Sequence, residues 1–119
     1  LSDDVHPFHM HGTKFQVVHR AYGTDGTKPQ VPKVEEQENP VRRDTVAVDG
    51  FGSVTIRFVA SNPGAWFMHC HMDWHLSAGL AMVMVQAPEK AKEVLKVPSY
   101  VEEQCRVWKK QSDHKVRGP

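Results

Sequence analysis

The segment "WFMHCHMDWH" (residues 66–75) places one cysteine between two histidines, and a third histidine follows four residues later. Its apolar beginning predicts a β-strand over residues 65–71. Side chains of a strand alternate between its two faces. His69 and His71 are therefore expected on one face, and Cys70 on the other. A single strand would then contribute ligands to two separate sites.

A second histidine-rich segment, "HPFHMHG" (residues 6–12), repeats this pattern near the start of the chain. His9 and His11 are two residues apart, which places them on the same face of a strand. His6 lies three residues before His9, so alternation places it on the opposite face. Pro7 weakens this expectation, because proline disturbs a hydrogen-bonded ladder. With that reservation, this segment too is expected to contribute to two sites.

Grouping these side chains by face predicts two sets of metal ligands. One set supplies two imidazoles and a thiolate, from His6, Cys70 and His75. A trigonal set of this kind is typical of a blue-copper electron-transfer site. The other set consists of four imidazoles, from His9, His11, His69 and His71. Imidazole suits copper, zinc, iron and nickel alike, so the second set does not by itself identify the metal.

Cys70 also provides a covalent connection between the two sets. An electron that reaches its sulfur is a few bonds from the imidazoles of His69 and His71. These three residues are the predicted electron path between a one-electron acceptor and a polynuclear centre. Two alternatives remain: a zinc site that uses His71 and His75 on one helix face, and a mononuclear copper module. Both leave several of the clustered histidines without a purpose.

The remainder of residues 1–87 predicts short strands separated by turns. Strands are expected over residues 14–20, 44–49, 53–60 and 79–86, and one helical turn or a tight loop over residues 72–79. Within "SVTIRFVA" (53–60), Val54, Ile56 and Phe58 are expected to point inward. Strands at this spacing indicate an all-β sandwich or barrel.

Residues 88–119 have a different pattern and predict a helical C-terminal tail. Val101, Cys105 and Trp108 recur at helical spacing and form one apolar stripe, so Cys105 is expected to face inward. The chain contains only two cysteines. If Cys70 is a metal ligand, Cys105 has no partner in this chain. We therefore expect its partner on polypeptide outside these residues.

Length and charge limit the classes of function. A chain of 119 residues is sufficient for one domain with a modest core. A formal net charge of +1 produces no field that would attract nucleic acid or an anionic membrane. No apolar run approaches the roughly 18 residues of a membrane span. Because the first dense motif begins at residue 6, we expect further sequence upstream.

Both histidine segments resemble motifs of a known family. "HPFHMHG" is similar to HPxHxHG, and "HCHMDWHLSAGL" (69–80) is similar to HCHxxxHxxxGL, in the C-terminal cupredoxin domain of the multicopper oxidases. "NPVRRDT" (39–45), "VTIRFVASNPGAW" (54–66) and the helix with Cys105 resemble fungal laccases and iron oxidases. The resemblance implies a cupredoxin-like Greek-key β-sandwich, incomplete in this chain, with short C-terminal helices.

The resemblance also implies a role for each site residue. The type 1 copper ligands would be His6, Cys70 and His75. The type 2 copper would be bound by His9. The type 3 copper pair would be bound by His11, His69 and His71. Leu80 would occupy the axial position of the type 1 copper, where other members have Met or Phe. A non-ligating Leu there favours a higher reduction potential than an axial Met.

For function, the resemblance implies a secreted, laccase-like enzyme that oxidises phenols or similar reductants by single electrons and reduces dioxygen to water. Ferrous iron is the alternative reductant. In the iron oxidases an acidic residue shortly before the first histidine helps to bind it; Asp3 and Asp4 lie in that region, and Ser2 is the other residue that this position could match. N-terminal cupredoxin domains of the same oxidase would supply the remaining cluster ligands, and Cys105 would form a disulfide with one of them. The 119-residue chain is therefore not expected to be active alone. A complete oxidase of this family would hold four copper ions.

Overall fold

In a computed structural model, residues 4–23, 34 and 36–111 of the chain are described. Strands occupy the first part of the chain and helices the last. The elements are β1 (His6–Met10), β2 (Phe15–Ala21), β3 (Arg42–Arg43), β4 (Thr45–Val48), β5 (Ser53–Arg57), β6 (Gly64–Cys70), α1 (Asp73–Ser77), β7 (Ala81–Gln86), α2 (Pro88–Val94) and α3 (Ser99–Gln111). The predicted strands and the helical turn after residue 71 are confirmed, and β3 was not predicted.

The strands form two antiparallel sheets. The first has the order β4-β1-β6-β7, and the second has the order β3-β2-β5. The two histidine segments lie in β1 and β6, which are neighbours at the centre of the first sheet. Pro7 is accommodated within β1, where it lies opposite Ala47 of β4. The β1–β4 ladder is therefore not interrupted at Pro7, and the side chains of β1 alternate between its two faces from His6 to Met10.

The core lies between the two sheets. Met10 and Val46 of the first sheet and Phe15 of the second form a buried cluster. Full burial of an aromatic or aliphatic side chain of this size contributes about 1.5–3 kcal/mol to stability. Surrounding this cluster are partly buried apolar side chains from both sheets: Val17, Val54, Ile56, Phe58, Met68 and Met84. The predicted inward face of residues 53–60 is thus confirmed, although the strand itself ends at Arg57.

The C-terminal tail contains two helices. Pro88 occupies the first turn of α2, where a missing N–H costs no hydrogen bond. Exposed ion pairs at i,i+3 spacing lie on both helices, including Lys90–Glu93 and Arg106–Glu103. Cys105 and Trp108 are exposed, so the apolar stripe of α3 does not face inward within the part of the chain that the structure describes. None of the described helices is long and apolar enough to cross a bilayer.

Candidate metal centres

Strand register brings the two histidine segments together. In the β1–β6 ladder, Phe8 lies opposite Cys70 and His9 lies opposite His69. Residues directly opposite each other in antiparallel strands share a face of the sheet. The even-numbered positions of both strands therefore face the core, and the odd-numbered histidines face outward. The separation predicted from alternation is confirmed in both segments.

On the core face, a thiol and two imidazoles converge. The Sγ atom of Cys70 lies 3.8 Å from Nδ1 of His6 and 3.6 Å from Nδ1 of His75. Cys70 is fully buried, and both histidines are half-buried. Among the described residues, this is the only group of three possible metal ligands whose donor atoms all lie within 4.8 Å of one another. The three residues predicted to form one ligand set are thus assembled.

Backbone hydrogen bonds hold this group in place. The short helix α1 carries His75 back over the end of β6. The N–H of Leu80 donates to the carbonyl of His75 (3.0 Å), and the N–H of Cys70 donates to the carbonyl of Leu80 (3.0 Å). Leu80 thus connects the strand to the helical turn through its main chain. These main-chain bonds fix the backbone separation of Cys70 and His75.

The outer face of the sheet carries the four-histidine cluster, with rings from β1 and β6 and from the residue that follows each strand. Nε2 of His11 and Nε2 of His69 are 3.2 Å apart. The ring centroids of His9 and His71 are 5.9 Å apart, and those of His69 and His71 are 5.5 Å apart. His69 is buried, whereas His11 and His71 are exposed. The cluster is therefore open on the side that faces away from this sheet.

Hydrogen bonds determine which ring nitrogens remain free for a metal. Nδ1 of His69 donates to the carbonyl of Cys70 (2.9 Å), and Nδ1 of His9 donates to the carbonyl of Asp44 (3.0 Å). A carbonyl only accepts, so in both rings Nδ1 carries the proton and Nε2 is the unprotonated nitrogen. The hydroxyl of Thr45 also lies 3.0 Å from Nδ1 of His9. Such outer contacts are what orient metal-binding histidines in proteins.

The supporting residues were not found by sequence reasoning. Asp44 and Thr45 lie more than thirty positions from His9, and no local spacing indicates the contact. The sequence does indicate an acidic group at Asp4, two residues before His6, but not that its carboxylate lies 4.0 Å from Nε2 of His75. These contacts depend on the pairing of β1 with β4 and on the position of α1, which carries His75 back over the end of β6. Only the residues with ligand chemistry, clustered at spacings of two, could be recognised in advance.

Comparison with known proteins places this geometry in a family. A family profile described as "Multicopper oxidase" matches residues 1–90. "Iron multicopper oxidase fer1" of Mycosarcoma maydis is 49% identical over 104 residues, covering 85% of this chain and 16% of that protein. "Laccase-2" of Agaricus bisporus is 49% identical over 87 residues, covering 73% of this chain and 15% of that protein. The chain thus spans about one-sixth of the length of these relatives.

The fold comparison agrees. The crystal structure of "Fet3p, a Multicopper Oxidase that Functions in Iron Import" superposes with a TM-score of 0.66 at 36% identity, covering 88% of this chain and 22% of that one. This likeness confirms the predicted cupredoxin-like β-sandwich with short helices. With a family profile over most of the chain and relatives well above 30% identity, the chain belongs to the multicopper oxidase family.

Proposed function

We propose that this chain is the C-terminal, copper-binding part of a longer oxidase that removes single electrons from a reductant and reduces dioxygen to water. The observation that carries the proposal is the placement of two ligand sets on opposite faces of one strand. Cys70 belongs to the buried set, and its two sequence neighbours belong to the open cluster. In this proposal, residues 1–87 form the cupredoxin part and residues 88–119 form the tail.

The buried set fits a type 1 copper. Copper in electron-transfer sites prefers one thiolate and two imidazoles in a trigonal arrangement, and His6, Cys70 and His75 provide these donors. Both imidazoles present Nδ1 to the sulfur. We assign Leu80 to the axial position. Its side chain offers no donor atom to a metal held there, which would favour a higher potential than a Met at that position.

The open cluster fits part of a polynuclear copper centre. We assign His9 to the type 2 copper and three histidines to the type 3 pair, namely His11, His69 and His71. Four imidazoles and no carboxylate favour copper over harder ions. The exposure of His11 and His71 supports a centre that is completed by ligands from another part of the oxidase. When bound, copper would supply the one-electron chemistry and the reduction of dioxygen.

The role of the chain is then to hold and connect these centres. The main chain of Cys70 joins the buried sulfur directly to His69 and His71. The carbonyl of Cys70 accepts the hydrogen bond that orients the ring of His69 (2.9 Å). A single residue thus belongs to one ligand set through its side chain and supports the other through its backbone. This is the structural basis of the proposed electron path.

Metal analysis of the full-length oxidase tests the proposal. We expect four copper ions per polypeptide, a blue absorption band and uptake of dioxygen. His69→Ala should remove copper from the polynuclear centre and abolish oxygen uptake but keep the blue band, whereas Cys70→Ser should remove the band. One copper per polypeptide with no oxygen uptake would instead establish the mononuclear electron-transfer module.

Two reductants are candidates. The relative named as a laccase supports phenols, and laccase-like phenol oxidation is the activity we propose. A specific contact favours ferrous iron as the second candidate: the exposed carboxylate of Asp4 lies 4.0 Å from His75, where it could attract a cation. Asp4→Asn should then slow oxidation of ferrous iron more than oxidation of a phenol. Asp73→Asn, on the exposed surface of α1, is the matched control.

Cys105 supports a connection to the rest of the oxidase. It is exposed on α3, and the structure shows it as a free thiol. We propose that it forms a disulfide with another domain of the same polypeptide, which requires an oxidising environment and therefore a secreted enzyme. Peptide mapping of the full-length protein without reduction tests this. A free Cys105 thiol in the purified protein would contradict both the disulfide and the inferred compartment.

A further inference from the structure

A basic cavity lies beside the second sheet and reaches Gly12, the residue that follows His11. It has a volume of about 330 Å³. Three of its lining residues are cationic, namely Lys14, Arg42 and Arg57, and none is acidic. The whole chain has nearly balanced charge, with 15 Lys and Arg against 14 Asp and Glu. Positive charge is therefore concentrated locally at this cavity.

Strand register explains why the two arginines share one surface. Arg42 of β3 and Arg57 of β5 both lie directly opposite Gln16 of β2. Directly opposed residues project from the same face of a sheet. The two arginines thus flank Gln16, with Cα atoms separated by two strand spacings, about 10 Å. Their neighbours Phe15 and Ile56 contribute to the core on the other face, so the arginines project outward.

Within the described part of the chain, the cations of this cavity have no carboxylate partners. Among the residues that the structure describes, Lys14, Arg42 and Arg57 take part in no ion pair, whereas Arg20 and Arg106 each have one. The Nε–H of Arg57 donates to Oε1 of Gln16 (3.1 Å). This neutral contact orients the guanidinium but leaves its charge uncompensated. Arg42 and Arg57 lie on either side of Gln16 on one sheet face, and an anion bound between them would be attracted by both charges.

We propose that this cavity binds a small oxyanion with two or more negative charges, either a phosphate group or a polycarboxylate. Guanidinium groups bind such ligands through paired, charge-assisted hydrogen bonds. Phe58 and Val59 line one wall, which provides apolar contact for the carbon skeleton of an organic anion. None of the candidate metal ligands lines the cavity.

Isothermal titration calorimetry on the full-length polypeptide tests the proposal. Inorganic phosphate and tricarballylate are the probes, with sodium chloride at matched ionic strength as the reference. Saturable binding of either probe is expected, and the probe that binds more tightly identifies the ligand class. Absence of saturable binding for both probes would overturn the proposal.

Substitutions then locate the site. Arg42→Gln and Arg57→Gln should each weaken the association constant about tenfold to a hundredfold, as expected for loss of a charged hydrogen-bonding partner. Arg42→Lys and Arg57→Lys keep the charge but lose the paired geometry, so they should weaken binding less. Arg106→Gln on α3 makes the same change in charge outside the cavity and should leave binding unchanged. Equal weakening by Arg106→Gln would show a nonspecific charge effect and refute the site.

Discussion

Gly12→Ala is the change whose cost can be worked out most directly from the structure. Gly12 ends the first histidine segment and has a φ of +64°. An added Cβ would clash with Cε3 of the Trp66 ring. The left-handed conformation costs an alanine about 1–2 kcal/mol. Overpacking against the ring adds about 1–3 kcal/mol, so the two effects together predict about 2–5 kcal/mol.

The Trp66 ring cannot easily move aside. Its Nε1–H donates to the carbonyl of Asn62 (2.8 Å), and the side-chain amide of Asn62 donates to the carbonyl of Gly12 (2.7 Å). Two hydrogen bonds thus connect the Trp66 ring to Gly12 through Asn62. Because His11 directly precedes Gly12, displacement of this backbone would also disturb the histidine cluster. We therefore expect Gly12→Ala to lower the copper content of the polynuclear centre as well.

Hydrogen exchange measured by mass spectrometry on peptides that cover β1 and β6 reports the opening free energy of this region within the full-length protein. Gly79→Ala is the matched control, since Gly79 has a φ of +94° but nothing lies within 4 Å of an added Cβ. Gly79→Ala should cost only the backbone share, about 1–2 kcal/mol. In a protein that already carries Trp66→Ala, the free-energy cost of Gly12→Ala should fall to the same value. Equal costs for both single substitutions, or an unchanged cost without the ring, would refute the reasoning.

Three further predictions concern the metal centres. Cys70→Ser should remove the blue band and one copper ion per polypeptide, whereas the control Cys105→Ser should keep both. Optical spectra and metal analysis measure these two quantities. A blue band that persists in Cys70→Ser would exclude Cys70 as the ligand. Thr45→Val removes the hydroxyl beside Nδ1 of His9 and should weaken copper binding by His9 about tenfold. Competition with a chelator measures the copper affinity. An unchanged affinity would show that the Thr45 hydroxyl does not support copper binding. Leu80→Met introduces a thioether donor and should lower the type 1 potential in a redox titration; an equal or higher potential would place another group in the axial position.

Local sequence patterns were sufficient for the ligand chemistry and for its division between two faces. Alternation along residues 69–71 predicted that Cys70 would be separated from its neighbours, and the observed distances agree. Alternation also predicted the inward face of residues 53–60. Both conclusions depend on the two-residue period of a strand, which is a property of the backbone. They need no knowledge of which strands become neighbours.

Contacts between distant segments could not be predicted in the same way. The two-residue strand β3 has no periodicity of its own, and it exists because Arg42 and Arg43 pair with β2. The inward direction expected for Cys105 was a prediction from one helix alone, and a helix pattern does not specify what covers it. Exposure of Cys105 shows that the covering surface is not supplied by the described residues.

The sequence by itself predicted two sets of candidate ligands, the strand that separates them and the helical character of the tail, because these follow from side-chain chemistry and local backbone periodicity. Only the tertiary structure decided that β1 lies between β4 and β6, and that Asp44, Thr45 and Asp4 support particular histidines. It also decided that Arg42 and Arg57 flank Gln16. The physical reason is that register between distant strands is set by the packing of the whole sandwich, and no short segment contains that information.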